Sequence, residues 1–168
     1  MIFLEFTFFL IVSFFSIFTF AGLGKLLVNK NETYFFESFF IGFIVVSFIL
    51  TLFHFFLKID TFIILFIFIF GFYKSIVNFK FFFRYDLKNY YIYLLIFIVF
   101  VPIYLSQKYH EDFGYYHLPY IINLFNEKII FGMASVNSSF IYNSIWLNLM
   151  GLFYQENNFN YLTLPSFL

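Results

Sequence analysis

Long apolar runs that carry almost no charge leave this chain few folds to choose from. Between Ile2 and Leu27 there is one acid, Glu5, and one base, Lys25. Three further runs follow, from about Phe36 to Leu57, Thr61 to Val77 and Tyr90 to Leu105. About 20 apolar residues wound as a helix cross the ~30 Å hydrocarbon layer of a bilayer, and a helix satisfies its own backbone there. A fifth stretch, about Phe140 to Tyr154, is shorter and carries Asn143, Ser144 and Asn148, which fits a tilted span or an interfacial helix. The expected fold is all-α: a polytopic transmembrane helical bundle of four to five spans, plus an interfacial amphipathic helix in an outer loop.

Composition agrees. The chain is 63% hydrophobic and 11% charged, where soluble domains are near half apolar and a quarter charged. The 35 phenylalanines accompany abundant Ile, Asn, Lys and Tyr, the residues of AT-rich codons, and do not by themselves point to an aromatic binding surface. Net charge is zero and no basic stripe interleaves with aromatics, so nucleic acid is not an expected partner. The absence of cysteine excludes disulfides, thiolate metal sites and cysteine nucleophiles. No Lys or Arg precedes the first apolar run, so it reads as a span and not as a signal peptide. Glu5 falls among the head groups.

Loop charge sets the sidedness. With alternating spans, the loops Lys25 to Glu37 and Lys74 to Lys88 share a side and hold Lys25, Lys30, Lys74, Lys80, Arg84 and Lys88. The other side holds Lys58, Lys108 and Lys128. This asymmetry puts the first group in the cytoplasm, and the N-terminus and the His110 segment outside, as expected for a protein of a bacterial inner membrane. Three regions result: a four-helix transmembrane region at 1–105, an outer loop at 106–136, and a polar-striped fifth helix with the start of a further segment at 137–168. The last residues, YLTLPSFL, read as the start of another span, so the chain is expected to be the N-terminal part of something longer.

Between these apolar runs lies a knot of reactive side chains, from His110 through Glu111, Asp112, Tyr115, Tyr116 and His117 to Tyr120. Helical spacing over 111–118 would pair Glu111 with Tyr115, and Asp112 with Tyr115 and Tyr116. Two chemistries fit. Crowded carboxylates beside hydrocarbon raise one another's pKa, which makes one a usable general base. Alternatively Asp112 and Glu111, with a histidine, hold Mg²⁺ or Mn²⁺. A third reading is a solvated loop with interfacial tyrosines. The histidine spacing does not match a zinc-protease helix. Beyond Pro119, Leu118, Ile121, Ile122, Leu124, Phe125 and Ile129 share one helical face, opposite Asn123, Asn126 and Glu127. This predicts an interfacial helix, with a bend at His117 and Leu118 because proline disfavours helical geometry in the residue before it. Asn137, Ser144, Asn148, Gly151 and Gln155 form a polar stripe, suited to interhelical hydrogen bonds or a wet cavity.

The run Glu111-Asp112-Phe113-Gly114-Tyr115-Tyr116-His117-Leu118-Pro119, followed by an amphipathic segment and then Asn137-Ser138-Ser139 with Trp146, resembles the first catalytic outer loop of bacterial GT-C-type glycosyltransferases. These are polytopic enzymes related to protein O-mannosyltransferases and lipid A aminoarabinose transferases. The resemblance covers roughly residues 90 to 155. It implies transfer of a sugar from a polyprenyl-phosphate carrier to a lipid, glycan or protein hydroxyl, usually with inversion. By position, Asp112 is the implied catalytic acid residue, with Glu111 second, acting as base or holding acceptor or metal. His110, Tyr115, Tyr116 and His117 are the implied substrate-binding residues, and Lys108 and Lys128 are within reach of a phosphate. Family members usually carry more spans, and their catalytic loop follows the first span where here it follows the fourth.

Two rival functions stand beside this one. A transporter or flippase segment would place ionisable groups inside spans, where this chain has only Glu5 and His54 near span ends. A non-catalytic membrane subunit would use the outer loop to bind a partner. His54 reads as a structural interfacial histidine. Gly22-Leu23-Gly24-Lys25 lacks the glycine spacing of a phosphate loop, and Asn31-Glu32-Thr33 and Asn137-Ser138-Ser139 match a glycosylation pattern that is frequent in Asn-rich chains.

Overall fold

The computed structural model describes residues 2–28, 34–82, 87–105, 113–132, 135, 145–154 and 159–168. Among these, every regular element is helical: α1 (Ile2–Leu27), α2 (Phe35–Phe56), α3 (Thr61–Val77), α4 (Phe79–Phe82), α5 (Leu87–Leu105), α6 (Leu118–Asn126), α7 (Ile145–Gly151) and α8 (Leu164–Phe167). A π-helical turn, Phe113–His117, precedes α6, and a 3₁₀ turn, Phe159–Thr163, precedes α8. Hydropathy alone placed the ends of α1 and α3 correctly, and α2 within one residue. Among the described residues α1 and α2 are long and apolar enough to cross a membrane, and α3 is a shorter apolar helix.

The expected fifth helix is different. Its described part is α7, and it does not run on to Tyr154. The N–H groups of Leu152, Phe153 and Tyr154 bond the carbonyls of Leu149, Met150 and Gly151, three residues back, so the helix tightens and ends.

Two compact units divide the chain, one of residues 1–45 with 66–107 and Leu168, the other of 46–65 with 108–167. In the first, α1 carries small residues on two faces. A Cβ placed on Gly24 would fall on the Ser38 carbonyl of α2, and one on Gly42 would fall on the Phe20 carbonyl of α1. On the other face a Cβ on Gly22 would fall on the Gly71 carbonyl of α3. Backbones therefore touch directly, as small residues spaced four apart allow. The Ser75 hydroxyl donates to the Phe18 carbonyl, and Thr19 Oγ1 donates to the Phe68 carbonyl at 3.4 Å. Rings close the remaining space, with Phe15 4.5 Å from Phe72 and Phe14 5.3 Å from Phe97 of α5.

Polar groups lie inside this unit. Ser13, Ser16, Thr19, Ser38 and Ser75 are buried, and the first two donate to carbonyls one turn back, both at 2.7 Å. Apolar side chains such as Phe40, Ile44, Phe66, Ile69 and Leu95 are exposed.

In the second unit, Asp60 caps α3 through a 3.1 Å bond from the Ile63 N–H to its carboxylate. Its core is the buried face of α6 with α7 and the last turns of α2, closed by Tyr161, Leu162 and Leu164.

Candidate functional site

The π-helical turn bonds five residues along instead of four, which widens the backbone where α6 begins. It leaves Tyr115 76% and Tyr116 43% exposed, while Phe113 and His117 are half-buried with their rings 6.3 Å apart. The bend expected at His117 and Leu118 is absent. His117 has helical dihedrals, φ −77° and ψ −46°, and Leu118 is already the first residue of α6. Pro119 sits in the first turn, where a missing N–H costs no intrahelical bond. Of the residues assigned to substrate, Tyr115, Tyr116 and His117 are thus placed on one turn. Lys108, His110, Glu111 and Asp112 lie outside the described residues, and with them the expected Mg²⁺ or Mn²⁺ ligands.

Directly after this turn, α6 buries Tyr120, Ile121 and Leu124. Of the apolar face that the sequence assigns to the bilayer surface, Ile121 and Leu124 are buried in protein, while Leu118, Ile122, Phe125 and Ile129 are partly exposed. Tyr120 Oη donates to Asn148 Oδ1 of α7 at 3.3 Å, and Asn148 Nδ2 donates to Thr51 Oγ1 of α2 at 2.8 Å. Thr51 Oγ1 then donates to the Ser47 carbonyl at 2.9 Å. One buried amide therefore joins three helices, accepting through its oxygen and donating through its nitrogen. Burial pushes the Tyr120 phenol up to about 12, so at neutral pH it remains a donor. Asn148 takes the interhelical role proposed for the polar stripe. Gly151 is buried beside Leu124, and Asn137, Ser144 and Gln155 lie outside the described residues.

His54 closes the other end of α6. It is 2% exposed, its Nε2 lies 3.2 Å from the Glu127 carbonyl, and its ring meets Tyr120 edge-on at 6.4 Å. Because a carbonyl only accepts, Nε2 carries the hydrogen, and Nδ1 is left as a buried lone pair with no partner among the described residues. The backbone joins in. The His54 carbonyl accepts the Ile129 N–H, and the Leu124 carbonyl accepts the Ile59 N–H, both at 2.9 Å. The last carbonyls of α2 and of α6, which have no partner inside their own helices, are thus satisfied by each other's trailing segments.

Chemically, this cluster is a hydrogen-bonded support of uncharged groups next to the turn that carries Tyr115, Tyr116 and His117. Among the described residues no three His, Cys, Asp or Glu side chains converge to hold a metal ion. The sequence had marked His54 as structural, in agreement with its bonds, but not Thr51 or its pairing with Asn148. The available signal was a lone hydroxyl and a lone amide in apolar runs, which says that each needs a partner without saying which. No protein-family profile, curated protein or solved structure matches this chain.

Proposed function

We propose that this chain is an integral membrane protein of a bacterial inner membrane, a bundle of four to five spans. In this reading its outer segment 108–117 transfers a sugar from a polyprenyl-phosphate carrier to a lipid, glycan or protein hydroxyl. The observation that carries the membrane part is the apolar exterior: Phe40, Ile44, Phe48, Phe62, Phe66, Ile69 and Leu95 are exposed on the helices, while serines, a threonine and an asparagine are buried in a largely apolar core. Water would penalise such a surface, and hydrocarbon would not.

The transferase part rests on the acids and tyrosines of residues 111–117 and their likeness to GT-C outer loops. Asp112 takes the proton of the acceptor hydroxyl, and that oxygen attacks the anomeric carbon. The bond to the carrier phosphate breaks with inversion, and the polyprenyl phosphate leaves. Glu111 assists Asp112 as a second base or as a ligand to Mg²⁺ or Mn²⁺. Lys108 and His110 offset phosphate charge, and Tyr115, Tyr116 and His117 meet the sugar. The supporting geometry is the exposure of both tyrosines on a turn braced by α6, since a donor with a membrane-embedded tail presents its phosphate at head-group depth.

Asp112→Asn is expected to lower sugar transfer by about 10²-fold or more in membranes where the protein accumulates normally, measured with radiolabelled polyprenyl-phosphate sugars. Undiminished transfer would remove Asp112 from the chemistry.

A further inference from the structure

With Ile121 and Leu124 of α6 buried in protein, part of the apolar face that the sequence assigns to a bilayer surface is used inside the second unit, and apolar side chains are exposed just beyond it. Just beyond α6, Ile130 and Phe131 are 48% and 81% exposed, and Gly132 turns the chain with φ +87°, a conformation glycine adopts without strain. The Phe131 ring lies 6.1 Å from that of Phe55, and Phe56, the last residue of α2, is 74% exposed. Asn126, Glu127 and Lys128, on the polar side of this loop, are exposed.

The depth of the patch is set from inside. The Ile129 N–H bonds the His54 carbonyl, and the His54 ring holds the Glu127 carbonyl, so the loop is tied at two points to the last turn of α2. A loop tied to the last turn of a span sits where hydrocarbon gives way to head groups. Irregular backbone cannot go deeper exposed to lipid, because its polar groups would lose their partners, whereas aromatic rings are favoured at that level.

We propose that the Ile130–Phe131 tip, together with Phe55 and Phe56, is a membrane anchor that inserts into the boundary between head groups and acyl chains. It holds α6, and the tyrosine-bearing turn before it, at the bilayer surface. The anchor rests on the membrane part of the proposed function and is independent of the transfer chemistry.

The chain has no cysteine, so single nitroxide labels can be placed on the full-length protein in vesicles of phosphatidylethanolamine and phosphatidylglycerol. Labels at Phe131→Cys and Ile130→Cys are compared with Ile44→Cys, which is exposed in the middle of α2, and Asn126→Cys, which is exposed on α6. Collision rates with oxygen and with a water-soluble nickel chelate give depth. The tip labels are expected about 5–10 Å below the phosphates, with an oxygen-to-nickel ratio several-fold above that of the Asn126 label and below that of Ile44. Tip labels as wet as the Asn126 label, with Ile44 in hydrocarbon, would overturn the anchor and leave the membrane reading standing. An Ile44 label in water would overturn both. If Phe131→Cys fails to insert, the Ile130 label gives the same decision.

Discussion

In the first unit helices meet backbone to backbone, whereas in the second they are joined through an amide, hydroxyls, an imidazole and exchanged helix ends. Gly24 and Gly42 leave no room for an added atom because the facing atoms are main-chain. Gly151 in the second unit faces only the end of a leucine, where a Cβ would stand 3.0 Å from Leu124 Cδ1. Contact between backbones gains dispersion energy from closeness and tolerates little change. Contact through side chains depends on complete hydrogen bonding, and its apolar parts can yield.

The sharpest way to break this contrast is to add the same methyl group to both units. Gly42→Ala should force α1 and α2 apart and cost about 3 kcal/mol, at the upper end for overpacking, read as early unfolding of the first unit in a detergent titration. Next in size, Asn148→Leu keeps the branched shape but removes the bonds to Tyr120 and Thr51. It should cost about 1–2 kcal/mol, seen as faster amide exchange in α6 and α7 while α1 is unchanged. An effect of similar size is expected from alkali. Folded, Tyr120 keeps its proton to about 12, while an unfolded tyrosine loses it near 10. The native state thus binds more protons in that window, and the stability of the second unit falls as pH rises through it. Emission from Trp146, the single tryptophan, should report this loss, and Tyr120→Phe should remove the tyrosine-linked part. Smallest of all, Gly151→Ala should cost less than about 1 kcal/mol, since Leu124 can rotate aside; a cost equal to that of Gly42→Ala would end the distinction between the units.

Much of the helical layout was legible in the sequence. Hydropathy marked α1, α2 and α3 because long apolar runs with almost no charge read as helices that satisfy their own backbone, whereas the cap that Asp60 provides to α3 came only from the structure. At the candidate site less was legible. Tyr115, Tyr116 and His117 belong to the cluster that the sequence offers as a candidate site and share one turn, while His110, Glu111 and Asp112 lie outside the described residues. The bend at Pro119 was misjudged because a proline within the first turn begins a helix as readily as it ends one. The amphipathic pattern found the helix, with Ile121 and Leu124 buried, but α6 stops at Asn126, short of Ile129, and a pattern does not say whether lipid or protein will cover a face.

Where the helices form and how long they run followed from local chemistry, since both depend on residues within a few turns of each other. Partners were a tertiary matter. Asn148 bonds Tyr120, 28 positions away, and Thr51, 97 positions away, and Gly42 needs its missing Cβ only because Phe20 of another helix lies against it. Such contacts are set by how helices cross, and crossing depends on all the surfaces that meet there.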